Sequence, residues 1–217
     1  IGLTDATFAS ANVGNHAVTV GNISLVGSDA GNYLLILPAN LSGAITARTL
    51  SVMNVTANDK VYDTTTTATL NTSSATLSGV LAGDTVNVNT TAASGVFLNA
   101  NAGTAIAVAA SNFALSGSSA GNYLIQQPSG IAANITQATV TVGNLSANNK
   151  IYDGTTSAVV VTSDASFSGL LGSDSLNVAS AIGQFVDKNV GSVKNVSISG
   201  LTLGGTSVGN YLLTTTT

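Results

Sequence analysis

Few residues in this chain have side chains that could do chemistry, and their types restrict what that chemistry could be. His16 is the only imidazole, there is no cysteine, and every acidic residue is an aspartate. A Ser-His-Asp triad would need His16 as its base, but its equivalents in the repeat described below are Ala105 and Val193. One histidine without cysteine does not make an ordinary zinc site. We therefore expect no catalytic residue, and the chain is predicted not to be an enzyme.

The aspartates leave one metal chemistry open, which is Ca²⁺ binding. Asp84, Asp174 and Asp187 could supply carboxylates beside backbone carbonyls. No Asp-x-Asp-x-Asp run is present, however, and the equivalents of Asp187 are Asn99 and Ser10. The prediction is that the chain has no cofactor, with Ca²⁺ as the one alternative.

Composition and charge argue against two classes of partner. The chain has 217 residues, a net charge of −4 and only five basic residues, no two of them adjacent. Nucleic acids and anionic membranes are both recognised through a basic surface. No apolar run approaches the ~18 residues of a membrane-spanning helix. We expect neither nucleic-acid binding nor membrane insertion.

The elements that must position these side chains are predicted to be strands. Only 6% of residues are charged, Glu is absent, and Thr, Val, Asn and Gly are abundant. β-branched residues favour strands, whereas Asn and Gly favour turns. Residues 139–142 and 50–52 alternate with period two, and turn clusters separate such segments. The predicted class is all-β, with seven or eight short strands in each repeated unit.

Two tyrosine motifs recur along the chain and define a repeat of about 90 residues. A Lys-Val/Ile-Tyr-Asp motif occurs as Lys60, Tyr62 and Asp63 and again as Lys150, Tyr152 and Asp153. A Gly-Asn-Tyr motif occurs as Gly31, Asn32 and Tyr33, as Gly121, Asn122 and Tyr123, and as Gly209, Asn210 and Tyr211. A Gly-x-x-x-x-Asp motif ends at Asp84 and Asp174, and an Asn-Val/Ala-Gly motif precedes each Gly-Asn-Tyr. This recurrence predicts tandem domains.

The register of the motifs predicts three segments. Residues 1–46 match the C-terminal half of a repeat (repeat 1), 47–136 form a complete repeat (repeat 2), and 137–217 form one that lacks its last strand (repeat 3). Half a sandwich does not close a core alone. We therefore expect repeat 1 either to be part of a larger array or to be completed by a neighbouring chain.

An element that occurs once per repeat is more simply explained by folding than by ligand binding. We expect the Tyr62 and Tyr152 rings to pack on the core edge, while each following aspartate accepts backbone N–H bonds in an Asx-turn. The Gly and Asn of Gly-Asn-Tyr are expected to supply positive φ in a tight turn. Lys60 and Lys150 are expected to hold solvated ammonium groups above the sheet, with a Lys-to-Asn crosslink as the alternative.

Taken together, the four motifs resemble the YDG repeat, and the related MBG repeat, of large filamentous-haemagglutinin-like surface adhesins of Gram-negative bacteria. The resemblance covers essentially the whole chain. Thr64 departs from it where Gly154 keeps the motif's glycine, and Val208 replaces an alanine. The resemblance implies an extracellular, non-catalytic stalk on the bacterial cell surface, secreted by a two-partner-type route and used in adhesion or in a biofilm matrix.

The predicted fold of each repeat is a small antiparallel, Ig-like β-sandwich, with repeats arranged end to end and a β-grasp-like unit as the alternative. The expected partners are adjacent repeats of the same chain. Two other functions stay open. The repeats could assemble head to tail into an extracellular filament, since their Thr/Val strands lack the lysines that discourage edge pairing. They could also bind glycans, although the chain has no Trp.

Overall fold

The structure of the chain is a computed structural model that describes residues 5–21, 23–37 and 39–214. The predicted all-β class is confirmed. Helix in the described ranges is limited to three 3₁₀ turns, at Ala30–Asn32, Ala120–Asn122 and Val208–Asn210. No helix among the described residues is long and apolar enough to cross a membrane.

Short strands account for nearly all of the regular structure. In the first half of the chain they are β1 (Asp5–Phe8), β2 (Gly14–Gly21), β3 (Ser42–Ile45), β4 (Arg48–Met53), β5 (Thr56–Ala57), β6 (Lys60–Val61), β7 (Thr67–Ala68), β8 (Leu70–Asn71), β9 (Thr76–Ser78), β10 (Asn87–Asn89), β11 (Ser94–Phe97) and β12 (Gly103–Ser111). The others are β13 (Ala114–Ser116), β14 (Tyr123–Gln126), β15 (Ile131–Thr136), β16 (Ala138–Gly143), β17 (Ser146–Ala147), β18 (Ser157–Ala158), β19 (Val160–Val161), β20 (Ser166–Ser168), β21 (Asn177–Phe185), β22 (Val196–Gly204) and β23 (Tyr211–Leu213).

The described residues form two compact units. Unit 1 lies within 1–55, 72–94 and 110–129, and unit 2 within 56–71, 95–109 and 130–217. Because repeat 2 contributes to both, each unit combines segments from two consecutive sequence repeats. The division into units does not test the predicted repeat boundaries after residues 46 and 136, which were derived from the motif spacing. These boundaries stay predictions.

Unit 1 contains three small sheets. Strands β1, β2 and β3 form an antiparallel sheet, β14, β4 and β9 form a second, and β10 pairs with β13. Leu50 and Val52 on β4, Phe113 and Tyr123 are buried. The buried positions of β4 alternate, as the period-two pattern of 50–52 predicted.

Unit 2 is built around a five-stranded sheet of order β6-β15-β12-β11-β7. Three-stranded sheets β20-β16-β23 and β18-β21-β22 and the pairs β17–β19 and β5–β8 complete it. Its largest fully buried side chains are Phe97, Ile135 and Val140. Strand β16 buries every second residue, as predicted for 139–142.

Most of the described strand pairs are antiparallel, as the predicted sandwich requires, but not all of them are. Among the described strands, β14 pairs with β4, β15 with β6 and β16 with β23 in parallel. In the first pair Tyr123 lies opposite Arg48. The first strand of repeat 2, β4, therefore pairs with β14, a strand close to the C-terminal end of the same repeat. The strands in between serve as the long crossover that a parallel pair requires. Repeat 2 contains twelve strands, β4 to β15, which is more than the seven or eight predicted, whereas the described part of repeat 3 contains eight, β16 to β23.

Candidate functional site

A cluster of hydroxyl groups around Asp174 joins repeat 2 to repeat 3 inside unit 2. Tyr62 follows β6, and its backbone N–H donates to the Thr136 carbonyl at 2.8 Å. Its O–H donates to Asp174 Oδ2 at 2.8 Å, and the Tyr211 O–H donates to the same oxygen at 2.6 Å. Ser207 donates to Asp174 Oδ1 at 3.0 Å. One carboxylate therefore accepts three hydroxyl protons, one of them from the preceding repeat.

The two tyrosine rings are packed against each other as well as bonded to Asp174. Their centroids are 5.6 Å apart and their planes cross at 78°, an edge-to-face contact. Both rings are buried, with Tyr62 only 6% exposed. The tyrosine of the Lys-x-Tyr-Asp motif and that of the Gly-Asn-Tyr motif thus meet across two repeats.

The protonation states in this cluster follow from the hydrogen bonds. The bond from Tyr211 is the main cause that holds the pKa of Asp174 below its ordinary value, with further lowering by Tyr62 and Ser207. Burial, followed by the bond to Asp174, raises the pKa of Tyr62, and the same causes raise the pKa of Tyr211 to about 12. At neutral pH the cluster consists of one ionised carboxylate that accepts hydrogen bonds from neutral hydroxyls. Hydrogen bonds of this kind are charge-assisted.

We expect unit 2 to lose stability in alkali between pH 10 and 12. The pKa of Tyr211 is raised from its ordinary value of 10.0 to about 12 in the folded chain. Its contribution to stability is therefore complete below pH 10 and is lost as the pH rises toward 12. Urea unfolding at stepped pH, followed by circular dichroism, measures this. Tyr211→Phe removes the titrating group, and an alkaline loss of the same size in that variant contradicts the assignment.

Glycines bring the Asp174 loop against the 3₁₀ turn that precedes Tyr211. The Leu171 N–H donates to the Tyr211 hydroxyl oxygen at 3.0 Å. Gly205 has a φ of +109°, and a Cβ at this position would lie 2.5 Å from the Ser175 carbonyl oxygen. Gly117 in unit 1 has a φ of +108° and would place its Cβ 2.4 Å from the Thr85 oxygen. Only glycine fits at these two positions without strain.

The sequence prediction placed the positive φ values on the wrong residues. The Gly and Asn of Gly-Asn-Tyr lie in the 3₁₀ turns, and the left-handed backbone is found four residues before each motif glycine, at Gly27, Gly117 and Gly205. The triple recurrence of this glycine was a signal in the sequence that could have found it.

Unit 1 contains the equivalent contact with one tyrosine in place of two. The Tyr123 O–H donates to Asp84 Oδ2, and this bond is the main cause that raises the pKa of Tyr123. The Leu81 N–H donates to the Tyr123 hydroxyl oxygen at 3.2 Å, as Leu171 does to Tyr211. Repeat 1 has no Lys-x-Tyr-Asp motif, and so supplies no counterpart of Tyr62.

The asparagine of Gly-Asn-Tyr makes a second link between consecutive repeats. In unit 2, Asn210 Oδ1 accepts the Ala102 N–H at 2.9 Å, and its amide donates to Asn101 Oδ1 at 3.2 Å. Asn122 in unit 1 repeats the arrangement: its Oδ1 accepts the N–H of residue 13 at 2.9 Å, and its amide donates to the side chain of residue 12 at 3.0 Å. Each asparagine side chain therefore makes two hydrogen bonds to the Asn-Val/Ala-Gly loop of the preceding repeat, and we call this pair of bonds a clasp.

The lysines hold the Lys-x-Tyr-Asp loop in place rather than lying in solvent. Lys60 Nζ donates to Asp63 Oδ1 at 2.7 Å and to the Thr65 carbonyl at 2.8 Å, and lies 5.6 Å from the Phe97 ring centroid. The expectation of a solvated ammonium is therefore wrong, because the loop backbone folds around it. The predicted Asx-turn is present, since the Thr65 N–H donates to Asp63 Oδ1 at 2.9 Å.

Lys150 makes the same contacts in repeat 3, and these contacts predict that the Asp153 carboxyl group is unusually acidic. Lys150 Nζ lies 2.8 Å from Asp153 Oδ1, and this bond is the first cause that lowers the pKa of Asp153 from 3.8 to about 2. The contribution to stability is thus present above pH 3.8 and lost as the pH falls toward 2. A carboxyl-carbon NMR titration measures the pKa directly. Lys150→Met should return it toward 3.8, and an unchanged value contradicts the role of the lysine.

The residues considered for catalysis or metal binding are not brought together. A His16 ring nitrogen lies 2.7 Å from the Asn12 carbonyl oxygen. Asp84 and Asp174 bond to the tyrosines described above, while Asp187 pairs with Lys194. Within the described ranges no group of three or more His or Asp side chains could hold a metal ion.

Two of the motif tyrosines differ from the other three in exposure. Tyr62, Tyr123 and Tyr211 are buried, whereas Tyr152 is 58% exposed and Tyr33 is 72% exposed. The expectation that the ring packs on the core edge is therefore wrong for Tyr152. Within the described ranges, neither exposed tyrosine has a hydroxyl hydrogen bond like that from Tyr62 to Asp174.

A family model described as the YDG domain matches residues 1–41, 46–130 and 136–217. No curated protein and no solved structure matches the chain.

Proposed function

The chain belongs to the YDG domain family, and on that premise we propose that its repeats are the structural stalk, or spacer, of a secreted bacterial adhesin or biofilm-matrix protein. The proposed location is extracellular, on the bacterial cell surface. The observation that carries the proposal is the cluster at Asp174, where the two recurring tyrosine motifs bond to one carboxylate across consecutive repeats.

Where repeats 2 and 3 meet, the recurring polar groups are used by the protein itself. The hydroxyls of Tyr62 and Tyr211 bond to Asp174, and the amide of Asn210 bonds to the loop of the preceding repeat. A binding or catalytic site would instead aim such groups into a cleft. Residues that recur once per repeat and bond to the neighbouring repeat favour a structural role.

The proposed mechanism is mechanical. Each repeat is proposed to be a small Ig-like sandwich of about 90 residues, arranged end to end with its neighbours. The clasp at Asn210 and the cluster at Asp174 would hold consecutive repeats in one orientation, so that a series of them keeps a distal binding domain away from the cell. The low content of charged residues, 6%, suits a surface that interacts little with solutes.

Small-angle scattering tests the spacer role on the chain and on versions lengthened by further copies of 47–136. A spacer predicts monomers whose maximum dimension grows by a constant increment with each added repeat. Asn210→Ala, at a buried residue, serves as the variant that lacks the clasp between repeats 2 and 3. A maximum dimension that does not grow steadily would overturn the proposal, and specific saccharides retained on a glycan array would favour the binding alternative.

A further inference from the structure

An exposed apolar surface surrounds Tyr152 in unit 2. We define the Tyr152 face as Lys150, Ile151, Tyr152, Asn189, Val190 and Val193, which line one open cleft of about 930 Å³. Tyr152 is 58% exposed and Val190 is 89% exposed. Single exposed apolar residues are ordinary, but a contiguous group of them is typical of a contact surface.

The Tyr152 face is the repeat 3 counterpart of a surface that is already occupied in repeat 2. Tyr152 corresponds to Tyr62, and Asn189 and Val190 correspond to Asn101 and Ala102. In repeat 2 these residues bind the Gly-Asn-Tyr turn and the aspartate of repeat 3. Tyr62 is consequently only 6% exposed. Two contacts of Tyr62 have no counterpart at Tyr152 in the part of the chain that the structure describes, namely the bond to Asp174 of the following repeat and the bond to the Thr136 carbonyl of its own repeat.

The loop that would receive a partner shares a hydrogen bond with the occupied loop of repeat 2. The Asn189 N–H donates to Asp187 Oδ1 at 2.7 Å, just as the Asn101 N–H donates to Asn99 Oδ1 at 3.0 Å in the occupied loop. Preorganisation of this kind lowers the entropy lost on binding.

A matching element is exposed in repeat 1. The 3₁₀ turn at Ala30–Asn32 has the same backbone as the turns at Ala120–Asn122 and Val208–Asn210, both of which are docked on a preceding repeat. Tyr33 after this turn is 72% exposed. The turn therefore presents an asparagine and a tyrosine in the geometry that the Asn-Val/Ala-Gly loop binds elsewhere in the chain.

The cleft also contains basic residues. Lys150, Lys188 and Lys194 line it, and of these Lys150 is paired with Asp153 and Lys194 with Asp187. Asp29 precedes the repeat 1 turn at the place occupied by Ser207 in repeat 3. The Ser207 hydroxyl lies 3.0 Å from the Asp174 carboxylate, which accepts the Tyr62 hydroxyl proton. Asp29 is at the position equivalent to Ser207, and its carboxylate would therefore lie close to the hydroxyl of a docked Tyr152.

We propose that the Tyr152 face of one molecule binds the turn at Ala30–Asn32, with Asp29 and Tyr33, of a second molecule of this chain. Asn32 takes the place of Asn210 on the Asn189–Val190 loop, and the Tyr152 hydroxyl donates to Asp29. The contact is heterologous and does not close on itself, so it generates linear assemblies. The proposal goes beyond the spacer role and does not depend on it, because a monomeric stalk needs no contact between molecules.

Sedimentation of the full chain over a concentration series tests the proposal. The wild type is expected to form oligomers that lengthen with concentration. Tyr152→Ala and Asn32→Ala should each weaken association roughly tenfold or more, because each leaves polar partners unpaired. Val159→Ala, which changes a 67% exposed side chain outside the Tyr152 face, is the matched control and should associate like the wild type. Circular dichroism checks that all variants are folded.

Mixing the two variants gives the sharper result. A Tyr152→Ala molecule keeps a functional repeat 1 turn, and an Asn32→Ala molecule keeps a functional Tyr152 face. Equal amounts should form dimers and nothing larger, although each variant alone is monomeric at that concentration. A wild type that stays monomeric, or association that neither substitution weakens, overturns the proposal. A monomer whose dimension still grows with each added repeat would leave the spacer role standing while removing this one.

Discussion

Asp174→Ala is expected to destabilise unit 2 by about 3 kcal/mol, since an unpaired buried polar group costs about 1–3 kcal/mol. The substitution removes the common acceptor of the Tyr62 and Tyr211 hydroxyls. Both rings are buried, so water does not replace the lost acceptor without opening the contact between repeats. Urea unfolding at neutral pH, with hydrogen exchange to assign the loss to unit 2, measures the effect.

Three further variants make this result specific. Asp84→Ala should have a smaller effect on unit 1, because Asp84 accepts a hydroxyl proton from one tyrosine. Asp174→Asn keeps an acceptor oxygen without the charge and should lie between the wild type and Asp174→Ala. Asp164→Ala, at an exposed turn, should leave stability unchanged. If Asp174→Ala is no worse than Asp164→Ala, the cluster does not hold the repeats together.

Gly205→Ala is the second substitution with a large expected effect, a loss of roughly 3 kcal/mol from backbone strain and steric overlap. Gly205 has a φ of +109°, and the added Cβ would lie 2.5 Å from the Ser175 oxygen and 2.9 Å from the Leu176 Cα. Both neighbours are backbone atoms next to Asp174, so relief requires that the Asp174 loop move away from Tyr211. Thermal unfolding measures the loss, and exposure of Tyr211 to chemical nitration reports the movement.

Gly209→Ala is the matched control, four residues further along the same segment. No atom lies within 4 Å of a Cβ built there, and its φ is not positive. We expect no loss, and a small gain is reasonable, since alanine restricts the unfolded chain more than glycine does. Equal effects of the two substitutions would contradict the account of Gly205.

The fold class, and the identity of many residues that make the contacts between repeats, could be predicted from local sequence. Alternation with period two predicted the buried face of β4 and β16 because side-chain direction in a strand depends only on position along it. The recurrence of Tyr62 and Tyr211 within their motifs marked the residues that meet at Asp174, and the Asx-turn at Asp63 was predictable from its own neighbours.

The partners of these residues could not be predicted in the same way. Nothing near Tyr62 indicates a bond to an aspartate more than a hundred residues later, or that Asn210 clasps the loop at Asn101. Both contacts cross from one repeat to the next, and a sequence period shows which residues recur without showing which copies touch. The parallel pairing of β4 with β14 was missed for the same reason.

The sequence by itself determined that the chain is an all-β array built from a recurring unit, because strand propensity, alternation and motif spacing are local properties that each repeat carries in full. Only the tertiary structure decided that the motifs of one repeat bond to those of the next, that glycine is required at Gly205, and that Tyr152 is exposed where Tyr62 is buried. These features depend on which surfaces approach within a few ångströms, and that follows from packing of the whole chain.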